Sequence, residues 1–147
     1  MEAALFGGYE ALWTLLPSSV LRPAAPEELQ SVRWALLTLT AAGCAALAAS
    51  KTICGCGTLL LPGDCAPEAL ERVRAERAVG YGLSPRDSLT FSSLESSPVL
   101  CVQRALLRPD GQTVEPMELP LKNLPELPPG DLLAALGTRL LLETYGI

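Results

Sequence analysis

The chain has 147 residues, 11 basic against 16 acidic, a net charge of −5 and no histidine. Its length suits one domain, and its acidic balance argues against a nucleic-acid binder, whose surface is dense in Lys and Arg. The missing imidazole excludes Ser-His-Asp and Cys-His catalysis and histidine-ligated metal sites within one subunit.

The first segment, 3–16, spaces Leu5, Tyr9, Leu12, Trp13 and Leu16 at helical intervals and stops at Pro17. A proline-rich stretch follows to Ala25, so residues 1–25 read as an amino-terminal helix and linker and 26–147 as the main body of a single domain, 1–147. Pro26 at the first helical position, with Glu27 and Glu28 in the first turn, predicts a second helix running to about Ala49. Its uncharged part, 34–50, is 17 residues long. That is the short limit of the roughly 17–25 residues a membrane span needs, and alanine dilutes its leucines. It therefore reads as a buried helix, with no membrane partner expected.

Residues 52–61 (TICGCGTLLL) read as a strand whose glycines permit a bulge or close backbone approach, ended by Pro62-Gly63. Glu68, Arg72 and Glu76 at i,i+4 spacing predict a surface helix over 68–78, with Asp64 or Cys65 at its cap and Pro67 in its first turn. Beyond it, 78–83 and 88–94 read as a first hairpin about the turn 84–87. Residues 99–108 and 112–119 flank Pro109-Asp110-Gly111, a turn signal because glycine takes the left-handed position. Pro116 cannot donate to a ladder, so its strand is an edge or is bulged there. Asp131 caps a final helix, 132–144, with Leu132, Leu133, Leu136, Leu140 and Leu141 on its buried face. Helices first, then strands, then a helix predict an α+β fold, its helices packed on one face of a mostly antiparallel β-meander.

Five cysteines, an odd number, and a start without the positive region of an export signal predict an intracellular, cytoplasmic protein with free thiols. Cys44, Cys54, Cys56 and Cys65 form the one constellation able to bind metal, as zinc or an iron–sulfur cluster, because thiolates need no histidine. Their spacing fits no familiar knuckle, and free cysteines also serve as small core residues. Glycine pairs such as Gly7-Gly8 lack the further glycine or Lys-Ser/Thr of a phosphate loop. By elimination, the reading is a non-catalytic protein without cofactor that acts through contact with a protein partner or with itself as a homo-oligomer. Phe6, Tyr9 and Trp13 of the first helix are its candidate docking residues. The alternative is a thiolate metal-binding or redox protein centred on Cys54 and Cys56.

Overall fold

A continuous apolar run suits a strand buried on both faces as well as a buried helix, because periodicity does not separate the two. Two such runs form the middle of this protein. A computed structural model describes residues 2–94 and 98–142, and in it Ala3–Phe6 is strand β1 and Arg33–Leu39 is strand β3. All four residues of β1 are buried.

Between these strands lie α1 (Glu10–Trp13), β2 (Val20–Leu21) and a 3₁₀ turn, Pro26–Gln30. After β3 come α2 (Ala41–Ala49), β4 (Cys54–Pro62), α3 (Pro67–Leu70) and β5 (Val73–Tyr81). The carboxyl part holds β6 (Leu89–Ser93), β7 (Val99–Val102), β8 (Leu106–Leu107), β9 (Thr113–Val114), β10 (Met117–Pro120) and α4 (Pro129–Leu141).

The described residues form an eight-stranded sheet in the order β10-β7-β6-β5-β4-β3-β1-β2. Strands β2, β1, β3, β4 and β5 are parallel; β6 joins β5 in parallel through the single pair Tyr81/Leu89, which corrects the hairpin expected there, and β6, β7 and β10 continue as an antiparallel wing. The fold is therefore mixed α/β around a mostly parallel sheet, not helices on one face of an antiparallel meander. The expected helix over 3–16 is corrected to strand β1, next to the edge strand β2, and one short helix, because Gly7-Gly8 breaks the run. The expected helix over 26–49 is corrected to a 3₁₀ turn, a strand and α2. The surface helix over 68–78 shrinks to α3, so its i,i+4 charges are split between Glu68 on α3, Arg72 in the connection and Glu76 on β5.

Both faces of the sheet are covered, as parallel strands require. Leu29 of the 3₁₀ turn, Cys44 and Leu47 of α2 and Ala69 of α3 pack on one face with Leu37, Leu39, Leu59 and Leu61. Leu12 of α1 and Leu132, Leu133, Leu136 and Leu140 of α4 pack on the other with Leu5, Leu36 and Leu60. Across that second face Thr38 and Thr138 share a buried hydrogen bond of 2.6 Å, and Thr138 donates onward to the Ala134 carbonyl.

At the amino edge, Arg33 reaches over β4 to Glu76 (2.8 Å) and donates to the Cys56 carbonyl. It passes Gly55 and Gly57, where a Cβ would lie 3.0 Å from the Arg33 guanidinium and 3.7 Å from the Glu76 carboxylate. The Cys-Gly-Cys-Gly run thus leaves room for a side chain to cross the strand. The expected turn at Pro109-Asp110-Gly111 is present, with Gly111 at φ +89° and its N–H donating to the Arg108 carbonyl. The two-stranded β8–β9 ribbon flanks it, and β10, just after Pro116, is a sheet edge.

A Cβ at Gly43, in the first turn of α2, would overlap the Phe6 carbonyl oxygen. Gly43→Ala is therefore expected to lose about 2–4 kcal/mol of unfolding free energy in urea titration. Ala46→Ser, on the exposed side of the same helix, is expected to lose only about 0.5 kcal/mol. Equal losses at the two positions would contradict this packing.

Candidate functional site: the carboxyl edge of the parallel strands

In open α/β sheets, ligands bind outside the carboxyl ends of the strands, where successive crossovers part to opposite faces. Here the chain runs from β1 to β2 on one side and returns to β3 on the other, so that point lies between β1 and β3. Backbone fills it. Gly7 has φ +94°, and a Cβ there would overlap Thr40 and Gly43. Thr40 caps α2 by accepting from the Gly43 N–H (3.0 Å) while its hydroxyl donates to the Gly7 carbonyl (2.8 Å).

The open space is displaced along the same edge, to the ends of β3, β4 and β5. A cavity of ≈ 620 Å³ is lined there by Ala41 of α2, Pro62-Gly63-Asp64 after β4, Tyr81 to Ser84 and Arg86-Asp87 after β5, and Gly130-Asp131 of α4. Asp87 is only 6% exposed. Its carboxylate accepts from the Ser84 N–H at 3.0 Å, and it occupies the space that side chains at Gly63 and Gly82 would take. Tyr81 donates to the Leu39 carbonyl (2.8 Å), which ties the end of β5 to the end of β3, and burial pushes its phenol well above the ordinary range. Asp131 accepts from the Tyr9 hydroxyl at 2.6 Å, joining the loop after β1 to the start of α4. Partial burial, and then the Asp131 carboxylate, raise the Tyr9 phenol to about 12. Three carboxylates against one guanidinium give the lining an acidic balance.

The four cysteines expected to share a metal divide into two pairs. Cys54 and Cys56 lie at the amino end of β4, both buried on the face of α2 and α3. Cys44 and Cys65 lie at the carboxyl edge, with their sulfurs 3.2 Å apart. About 26 Å of strand separates Cys54 from Pro62, at 3.3 Å per residue over β4. No group of three or more His, Cys, Asp or Glu is placed for a metal among the described residues. Burial raises the thiol of Cys54. Burial, and then Cys54 beside it, raise Cys56 to about 12, against a smaller lowering by Arg33.

Of the expected docking residues, Phe6 is in the core, Tyr9 bonds to Asp131, and the Arg22 guanidinium lies 5.0 Å from the centre of the Trp13 ring. No helix among the described residues is long and apolar enough to cross a membrane. No sequence motif groups Tyr81 and Asp87 with Asp131, which lies far from both in the chain. Their one available signal was the glycines at 63, 80 and 82, which face Asp87. Comparison with protein-family models, curated proteins and solved structures finds no significant match to this chain.

Two outcomes check this geometry. A small thiol reagent at pH 8 is expected to modify Cys65 and Cys101, both half-buried, long before Cys54 and Cys56, which react only after denaturant is added. Rapid labelling of Cys54 or Cys56 in the folded protein would contradict their burial. Because the Tyr9 phenol is raised above its ordinary value near 10, its contribution to stability is fully present below pH 10 and is lost as the pH climbs to about 12. In Asp131→Asn, a tyrosinate absorbance titration is expected to show one phenol moving down toward 10. An unchanged titration would place the Asp131 carboxylate elsewhere.

Proposed function

We propose that the protein binds a small polar molecule in the crevice at the carboxyl ends of β3, β4 and β5, and that the ligand is cationic or rich in hydroxyls. The observation that carries this reading is the crevice lining, in which Asp64, Asp87 and Asp131 outnumber Arg86 beside the backbone of the Gly82–Ser84 turn. Carboxylates accept hydrogen bonds and hold cations, and they repel anions. The size falls within the roughly 300–1,000 Å³ of small-molecule sites. The crevice shares only the carboxyl edge that open α/β sheets use and is displaced from the switch point between β1 and β3, so the fold-level support is the edge alone.

The test is a two-dimensional amide NMR titration with ethylenediamine and glucose, using inorganic phosphate as the opposing probe. The amine or the sugar is expected to shift amides of Gly63, Asp64, Gly82 and Ser84, and Asp64→Asn is expected to weaken that binding about 3–10-fold. Shifts produced by phosphate alone, or confined to other surfaces, would overturn the reading.

A second reading is contact between copies of this chain through α2. Its solvent side is built of Ala41, Ala42, Ala45, Ala46 and Ala49, all exposed, and the helix carries no charge. Small residues at i and i+4 let a second helix approach closely, and an uncharged face meets its own copy without repulsion despite the net charge of −5. Val32, Ile53 and Leu70, exposed just before β3, β4 and β5, extend the apolar surface along the amino edge. In sedimentation equilibrium this reading expects a dimer that Ala45→Glu dissociates. A monomer at every concentration would exclude it. Both readings accord with a cytoplasmic, thiol-reducing location, in which five free cysteines persist.

A further inference from the structure

We propose that Cys44 and Cys65 are a thiol–disulfide exchange site, where the two sulfurs close into a reversible disulfide at the carboxyl edge of the sheet. Their Sγ atoms are 3.2 Å apart, with the Cys65 thiol donating to Cys44. A disulfide needs about 2.05 Å, so the closing movement is about 1 Å. The two residues stand on different supports. Cys44 is fixed in the first turn of α2, where its N–H donates to the Thr40 carbonyl at 2.8 Å. Cys65 lies in the loop between β4 and α3, whose backbone adjusts more readily than a helix.

Exposure sets the order of events. Cys44 is buried and Cys65 is half-buried, so a small disulfide from solvent meets Cys65 first. The Cys65 thiolate attacks one sulfur of the oxidant RSSR. The Cys65–SR bond forms, the RS–SR bond breaks, and the departing RS⁻ takes up the proton that Cys65 released. Cys44 then attacks the Cys65 sulfur, gives its proton to the second RS⁻, and leaves the Cys44–Cys65 disulfide with two RSH. Two protein thiols are oxidised and one small disulfide is reduced. Burial and the neighbouring Cys65 sulfur keep the Cys44 thiol protonated until that step, which suits it to be the resolving partner rather than the attacking one.

The other thiols lack this arrangement. Cys54 and Cys56 are two apart on one strand and buried, and Cys101 stands on β7 at the far side of the sheet. The bridge would tie Cys44, three residues after the crevice residue Ala41, to Cys65, which follows Asp64. The exchange itself depends on the sulfur geometry alone and not on any ligand in the crevice.

The experiment is incubation of the folded, reduced full chain with oxidised glutathione, followed by peptide mapping without reduction. The expected product is one linked peptide pair joining Cys44 to Cys65, with Cys54, Cys56 and Cys101 still free, reversed by dithiothreitol. The closed loop is expected to raise Tm by roughly 5–10 °C. Cys65→Ser, verified as folded by circular dichroism, is expected to give no linked pair and no rise in Tm. Three results would overturn the proposal: no linked peptide after oxidation, a glutathione adduct that persists on Cys65 with Cys44 free, or a link between Cys54 and Cys56.

Discussion

The carboxyl edge of this sheet depends on how closely the backbone after β1 lies against the first turn of α2. Gly7 has a positive φ, Gly43 leaves no space for a Cβ beneath the Phe6 carbonyl, and the Thr40 hydroxyl bonds to both sides of the junction. One side chain thereby caps a helix and fastens it to the neighbouring strand. Because backbone fills the usual crevice between β1 and β3, the open space moves to β3, β4 and β5. The same docking fixes the first turn of α2, so Cys44 arrives beside Cys65 and Ala41 arrives at the crevice wall.

The two edges of the parallel sheet differ in chemistry because different groups close them. At the carboxyl edge, glycines at 63 and 82 make way for one buried carboxylate, Asp87, and phenols anchor neighbouring loops through Leu39 and Asp131. The Tyr81 bond to the Leu39 carbonyl is buried and costly to leave unmade, whereas the Tyr9–Asp131 bond lies in contact with solvent. At the amino edge, glycines at 55 and 57 make way for Arg33 instead, and the ion pair it forms with Glu76 is exposed. Exposed pairs of this kind contribute little, because water and salt screen them. Arg33 still holds the Glu76 carboxyl below the ordinary carboxylate range. Polar groups of the carboxyl edge are thus placed rigidly around a space, whereas those of the amino edge dress a surface.

The carboxyl-terminal half was the more legible in the sequence, because its elements carry local signals. Pro109-Asp110-Gly111 announces its turn, Pro116 announces an edge, and the leucines of α4 repeat at helical spacing on the face that is buried. The parallel strands carry no such signal. Ala3 to Phe6 and Trp34 to Leu39 are apolar without alternation, since both faces are covered, and their identity as strands comes from neighbours distant in sequence. Around the start of β5, Glu71, Arg72, Arg74 and Glu76 imitate a helix surface, because residues 74–76 of the strand are exposed. The site was less legible still. Its carboxylates come from two loops and the first turn of α4, and residues as far apart as Tyr9 and Asp131 meet only after the sheet is assembled. The cysteines were visible as a set, yet their division into two pairs follows from the length of β4.

The most direct test of this account is a nuclear Overhauser experiment on the isotope-labelled chain, read at the junction of β1, β3 and α2. Parallel pairing predicts inter-strand contacts linking Ala4 with Leu37, a contact between Phe6 and Gly43, and helical i to i+3 contacts that begin only at Ala41. An unbroken helical series from Trp34 through Ala49, without contacts to Ala4, would contradict the fold and remove the edge on which the crevice and the Cys44–Cys65 pair are built.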